Sequence, residues 1–476
     1  MSGTVAAMSH MHVAGTIHAD ATSAAPVWLV KPTDANALVD GLWSQTAARV
    51  DDGQLRIGGL TAAEIVEQAG SPVYVVDELD FRGRALTWAK AFEGWGVYYA
   101  GKSFLCTTVA RWIEQEGLNL DVSSLGELTV ALRAGFPPER IGLHGNNKSV
   151  DLLRLALTAG VGRIIVDSAH EIGRLEQLTA ELDTRAQVLI RVTTGVEAHT
   201  HEYIATAHED QKFGFSIAGG QALVALVRSF HSPRIDLKGI HSHIGSQIFD
   251  TNGFEVAARR TLRLMSQFKE ATGVTLDELD LGGGFGIAYT IDDTPATVHD
   301  LAASLTDIVD HECRGYGLER PKLSIEPGRT ISGPAGTALY TVGTTKDVEI
   351  GGGNTRRYIS VDGGMSDNIR PALYAAEYSA VLASRASGAT PVLSRVVGLH
   401  CEGGDILVRN VFLPGDIAPG DLLAVPASGA YSRSMASNYN HTPRPGVVAV
   451  RDGKITPLVR RETLDDLLGL DAGLQA

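Results

Sequence analysis

The chain has 476 residues, 44% of them hydrophobic and 20% charged, with a formal charge of -14 at pH 7. That length exceeds one ordinary core, so two domains are expected unless one is a barrel, and the composition excludes disordered and fibrous classes. The acidic balance argues against a general binder of nucleic acid or anionic membrane, and no run of about 18 apolar residues offers a transmembrane candidate.

Residues 1–25 are rich in Ala, Ser, Thr and His and read as a flexible extension, with Met8 and Met11 as alternative starts. They lack the charged start and apolar centre of a signal peptide. Cys106, Cys313 and Cys401 are scattered and odd in number, which supports neither a disulfide framework nor a zinc cluster and favours a reducing, cytoplasmic setting. Residues 26–77, with a strand-like Pro72-Val73-Tyr74-Val75-Val76, are expected to pack on a C-terminal domain.

From there to residue 334, apolar β-branched runs alternate with amphipathic segments, the pattern of repeated βα units around a parallel sheet. Eight strands are expected: Gly96–Tyr99, Leu118–Asp121, Arg140–Leu143, Arg163–Val166, Val188–Arg191, Leu237–Ile240, Leu279–Leu281 and Lys322–Ile325. Eight closes a (β/α)8 barrel, placed at 78–334. Helices are expected at Val109–Glu116, Leu125–Ala134, Ala169–Leu182 and Phe254–Ala271. Residues 335–476 read as an all-β domain, a sandwich or barrel, with strands at Thr337–Val342, Arg357–Val361, Val392–Leu399, Asp405–Leu413, Asp421–Val425 and Val447–Val450.

In such a barrel, chemistry gathers at the C-terminal ends of the strands, and polar residues fall there. Lys102 follows the first strand, Asp121 and Ser123 the second, His144 the third, His243 and Ser246 the sixth, Gly282-Gly283-Gly284 the seventh, and Glu326-Pro327-Gly328-Arg329 the eighth. An apolar strand end would favour a free, nucleophilic amine on Lys102. The glycine run would let backbone N–H groups approach a phosphate, although no P-loop Gly-Lys-Ser/Thr follows. Each feature alone has a plainer reading: a surface lysine, a tight turn, a salt-bridged turn. His241 and His243 have the spacing of a metal pair but no obvious third ligand, so no metal is expected. Three polar clusters interrupt the β-domain: Asp362 to Tyr374, Cys401-Glu402-Gly403-Gly404-Asp405 and Gly429-Ala430-Tyr431-Ser432.

In this order the motifs resemble the fold-type III pyridoxal 5'-phosphate decarboxylases, which share the alanine racemase-like fold, over about Val73 to Tyr439. Gly195-Val196, Ala198-His199-Thr200-His201, Lys212-Phe213-Gly214-Phe215, His144 to Ser149 and Arg370-Pro371-Ala372-Leu373-Tyr374 are similar to the diaminopimelate-specific members, the actinobacterial branch in particular. Gly403 stands where the family usually has Ser, and Ser242 where Cys is common.

The resemblance implies that Lys102 carries the cofactor, His243 stacks on its ring and Glu326 pairs with its pyridine nitrogen. Ser246, Gly284, Pro327, Gly328, Arg329 and Tyr431 would surround it. Arg329, Arg370, Tyr374, Glu402 and Tyr431 would hold substrate. Cys401 would return the proton, with Lys102 as its rival. Cys401 and Glu402 would act in trans within a homodimer. The implied reaction is decarboxylation of meso-2,6-diaminopimelate at its D-centre to L-lysine and CO2, the last step of lysine biosynthesis. Rival readings are a decarboxylase for another diamino acid, a silent regulatory homologue, and a metal hydrolase built on His241 and His243.

Overall fold

The structure, a computed structural model, describes residues 25–50, 52–195, 211–351 and 353–475. The expected extension up to residue 24, and Val196 with Ala198-His199-Thr200-His201, lie outside the described residues.

Eight parallel strands run in chain order: β1 Gly96–Ala100, β2 Asn119–Val122, β3 Ile141–Leu143, β4 Arg163–Val166, β5 Ala186–Thr193, β6 Ile235–Ser242, β7 Glu278–Asp280 and β8 Lys322–Ile325. Each pairs with the next, and β8 pairs with β1, so the barrel is closed. β5 and β6 run longer than expected because their mutual ladder continues from Ile235 opposite Ala186 to Ser242 opposite Val192. Asp236 lies opposite Gln187 in that ladder, so the pairing carries both polar residues in strand.

The connecting helices start and stop where local chemistry dictates. Ser124, Ser149 and Ser168 cap the N-termini of Leu125–Ala134, Val150–Ala159 and Ala169–Glu181 by accepting a backbone N–H three residues on. In the helix Asn252–Thr272, Phe254, Ala258, Thr261, Leu262, Met265 and Phe268 form one buried stripe against the barrel.

The second domain is a largely antiparallel sheet whose long central strand, β9 Gly336–Glu349, pairs with Thr355–Val361, with Leu422–Val425 and with Val73–Asp77. Val73–Asp77 precedes the barrel in sequence, yet it lies between β9 and Gly446–Arg451, with which it runs parallel. Its alternation explains this placement: Tyr74 and Val76 join the main core, while Val73 and Val75 join a smaller core with Leu55, Ile57 and Leu339. Lys454–Val459, not expected from the sequence, adds an edge strand. The fold is therefore a (β/α)8 barrel with a second β-domain. Among the described residues no helix is long and apolar enough to cross a membrane.

Candidate active site

The turn Gly101–Ser103 directly after β1 carries Lys102. The second domain docks on this turn: Tyr431 N–H donates to Ser103 O at 2.9 Å, and Ser434 Oγ donates to the same oxygen at 3.2 Å. Tyr431 adopts a left-handed backbone, φ 60°, at this contact. The lysine side chain was expected in a low-polarity strand end, but it is exposed. The strand before it is buried, while the side chain itself opens into a cavity shared by polar groups.

That cavity, about 320 Å³, is lined by Lys102, Asp121, Ser123, His144, Asn146, Arg191, Phe213, His243 and Glu326 among others. A smaller niche of about 40 Å³ adjoins it through Ala100, Lys102, His243 and Glu326, and adds Ser246, Gly284, Gly328, Arg329 and Tyr431. The barrel residues expected from sequence thus converge on one continuous space.

The niche is built for a close-fitting anion. Arg329 Nη2 donates to Ser246 Oγ at 2.8 Å, and its guanidinium lies 4.7 Å from the Tyr431 ring centre. Arg329 Nε is buried with no hydrogen-bond partner. At Gly284, φ 109°, a Cβ would meet Gly245 O at 2.3 Å, and at Gly328 it would meet Ala100 Cβ at 2.8 Å. Any side chain at either position would fill the space where backbone now borders the niche.

Glu326 follows β8, its N–H bonded to Gly282 O at 3.0 Å. His241 Nε2 lies 2.9 Å and His144 Nε2 3.3 Å from Glu326 Oε1, and His144 Nε2 is also 3.1 Å from Asp121 Oδ1. These contacts are close but not aligned as hydrogen bonds, so Glu326 Oε1 and both Nε2 atoms remain buried without a partner. Burial pushes His144 down to about 4; the Glu326 carboxylate opposes this, and the positive charges of Arg191 and Lys102 add to it. Burial likewise holds His241 and His243 well below the ordinary imidazole range. Asp121 and Asp280 are pushed well above theirs by burial and then by Glu326.

The two histidines once paired by sequence spacing separate. His243 Nδ1 accepts the Gly283 N–H at 3.2 Å, whereas His241 turns to His144 and Glu326. Ligand atoms of that trio lie within 4.8 Å of one another, a spacing a metal ion could span. Lys102 and Arg191, which push both imidazoles further down, oppose a divalent cation there.

At the second-domain side, Arg370 opens the short helix Arg370–Tyr374 and is buried, its Nη1 donating to Tyr378 OH at 2.5 Å. Tyr374 is half-buried on the same helix. Cys401 and Glu402 are exposed, and neither lines the two cavities at Lys102. Glu402 Oε1 accepts from Tyr439 OH at 2.9 Å. Tyr289, which accepts from Arg329 Nη1 at 2.5 Å, and Tyr378 belong to this region but were not singled out in the sequence. The available signal for Tyr289 was its place in the loop after the glycine run.

An amine at one strand end, a carboxylate at another and a polar niche between them are the groups that a pyridoxal 5'-phosphate site on a barrel requires. The unpartnered Glu326 Oε1 and Arg329 Nε, with the backbone-lined niche, fit that cofactor. Residues 79–333 match the family described as "Pyridoxal-dependent decarboxylase, pyridoxal binding domain". The chain is 52% identical over 439 residues to a diaminopimelate decarboxylase of Mycobacterium tuberculosis, covering 91% of this chain and 98% of that one. It is 45% identical over 430 residues to the Bacillus subtilis enzyme of that name, covering 90% and 97%. Among solved structures, diaminopimelate decarboxylase from M. jannaschii in co-complex with L-lysine superposes with a TM-score of 0.83 at 29% identity, covering 90% of this chain and 98% of that one. The chain belongs to the pyridoxal-dependent decarboxylase family and, within it, to the diaminopimelate decarboxylases.

Proposed function

We propose that this enzyme removes CO2 from the D-centre of meso-2,6-diaminopimelate and releases L-lysine, the last step of lysine biosynthesis. The observation that supports it most is the convergence of Lys102, His243, Ser246, Glu326 and Arg329 on one space. Pyridoxal 5'-phosphate, when bound, supplies the electron sink for the pair left behind as CO2 departs. Lys102 Nζ would anchor it. Ser246, Arg329 and Tyr431, with the backbone at Gly284, Pro327 and Gly328, would hold its phosphate. His243 would stack on its ring. Glu326 would pair with the ring nitrogen and favour its protonated form, and burial keeps His144 and His241 beside it neutral.

The non-reacting end of the substrate carries a carboxylate and an ammonium, and needs a cation and an anion in return. Arg370 with Tyr374 serves the first and Glu402 the second. Cys401 returns the proton to the reacting carbon. Because Cys401 and Glu402 are exposed and outside the cavities of their own chain, both act on the site of a second copy, making a homodimer with shared sites. The free cysteines accord with a cytoplasmic enzyme.

The test is a visible spectrum of the purified protein with meso-diaminopimelate, L-ornithine and L-arginine added separately, scoring CO2 and L-lysine. A cofactor band with lysine formed from diaminopimelate alone is expected. Turnover of ornithine or arginine instead would overturn the substrate assignment.

A further inference from the structure

Arg329 and Arg370 come from different domains, yet both engage one side chain. Tyr289 accepts from Arg329 Nη1 through its hydroxyl, while Arg370 lies 4.8 Å from its ring centre. Tyr378 completes the cluster: its hydroxyl accepts from Arg370 Nη1, and its ring meets Tyr289 edge-on at 5.0 Å and 72°. All four side chains are less than a tenth exposed. Buried cations are ordinarily neutralised by carboxylates. Here, among the described residues, both guanidinium groups take phenol and hydroxyl partners and neither takes a carboxylate.

The loop bearing Tyr289 is rigid for a loop. Tyr289 N–H and Thr290 N–H both donate to Asp293 Oδ2 at 2.9 Å, and Gln247 exchanges two hydrogen bonds with the backbone of Ile287. Burial pushes the Tyr289 phenol up, but Arg329 and Arg370 together outweigh it and hold the group below its ordinary range. The phenol oxygen is thus an acceptor facing one cation, with the second over its ring. Tyr378 holds Arg370 and Ser246 holds Arg329, but Tyr289 engages both of these like charges in their desolvated space.

We propose that Tyr289 is a positioning residue that fixes Arg329 and Arg370 relative to each other, so that Arg370 presents its guanidinium to the distal carboxylate of the substrate. This rests on the reading of Arg370 as the carboxylate-binding residue. Tyr289 has no contact with the reacting carbon in this scheme, so its effect falls on binding of carboxylate-bearing ligands and not on the chemical step.

The experiment measures the Kd of L-lysine, which keeps the distal carboxylate and ammonium, and of cadaverine, which lacks the carboxylate, on cofactor-loaded wild type, Tyr289→Phe and Arg370→Met. Tyr289→Phe keeps the ring and removes only the hydroxyl. It should weaken L-lysine about tenfold or more and leave cadaverine within about twofold. KM for diaminopimelate should rise while kcat stays within about threefold. Tyr289→Leu, which also removes the ring face under Arg370, should weaken L-lysine further. If Arg370→Met weakens L-lysine but Tyr289→Phe does not, the positioning role falls and the reading of Arg370 stands. If Arg370→Met leaves L-lysine unchanged, the reading of Arg370 falls. Equal weakening of both ligands in Tyr289→Phe, or loss of its cofactor band or fold, would make the phenol a general structural group and overturn the proposal.

Discussion

On the barrel half of the site, Lys102, Ser246 and Glu326 ride on segments that follow β-strands and Arg329 opens the helix Arg329–Ala335, whereas in the second domain Cys401 and Glu402 ride on a loop braced by other loops. Asp405 accepts the N–H groups of Met365 and His400, and the His400 ring bridges Ser366 and Asn440. The barrel half closes around its own cavity within one chain, while the second-domain loop faces outward. On the proposed assignment, strand ends hold the groups common to the reaction class and loops hold those that choose a substrate, because loops can vary without disturbing the ladder.

If the barrel half carries the chemistry, its substitutions should cost most. Lys102→Ala should lower the rate of L-lysine release by about 10⁴-fold or more. The same protein should lose the visible band that responds to substrate. Glu326→Gln should come next, lowering kcat by about 100-fold with a smaller change in KM, because it weakens proton retention at the ring nitrogen. A Glu326→Gln enzyme with wild-type kcat would move the ring-nitrogen role elsewhere.

The smallest effect concerns stability of the cofactor-free protein. His144 is held at about 4 against an ordinary 6.5, so between those values the unfolded chain binds more protons than the folded one. Stability therefore falls as pH drops through that window and is retained above it. The contribution is on the order of 3 kcal/mol at most. His144→Asn, which cannot take up the proton, should flatten that part of the curve when Tm is compared at about pH 7 and pH 4.5. The raised Asp121 and Asp280 act in the opposite sense but are common to both proteins. An unchanged slope would mean that His144 is not the group responsible.

Much of the barrel was legible because most strands are short apolar runs and the polar site candidates follow those runs closely. Leu125–Ala134 and Arg163–Val166 fall where the sequence places them, since Ser124 and Gly135 punctuate the first and burial favours the second. Other features depend on contacts between distant segments. The packing of Val73–Asp77 on the second domain was expected, but its partners Gly336–Glu349 and Gly446–Arg451 lie hundreds of residues later, and the meeting of His144 with His241 depends on barrel closure. Tyr289 and Tyr378 read as ordinary aromatics until the docking of the second domain brings Arg370 to them. The exposure of Lys102 is likewise a property of the cavity and not of its strand.

The division between the two halves is tested most directly by mixing subunits. Lys102→Ala and Cys401→Ala proteins, each nearly inactive alone, are unfolded and refolded together in equal amounts with the cofactor. If each site takes its lysine from one chain and Cys401 from the other, half of the dimers are mixed and carry one intact site, restoring about a quarter of wild-type L-lysine formation. No recovery beyond the separate parents, in dimers shown to contain both chains, would contradict the shared site and return Cys401 to the chain that holds Lys102.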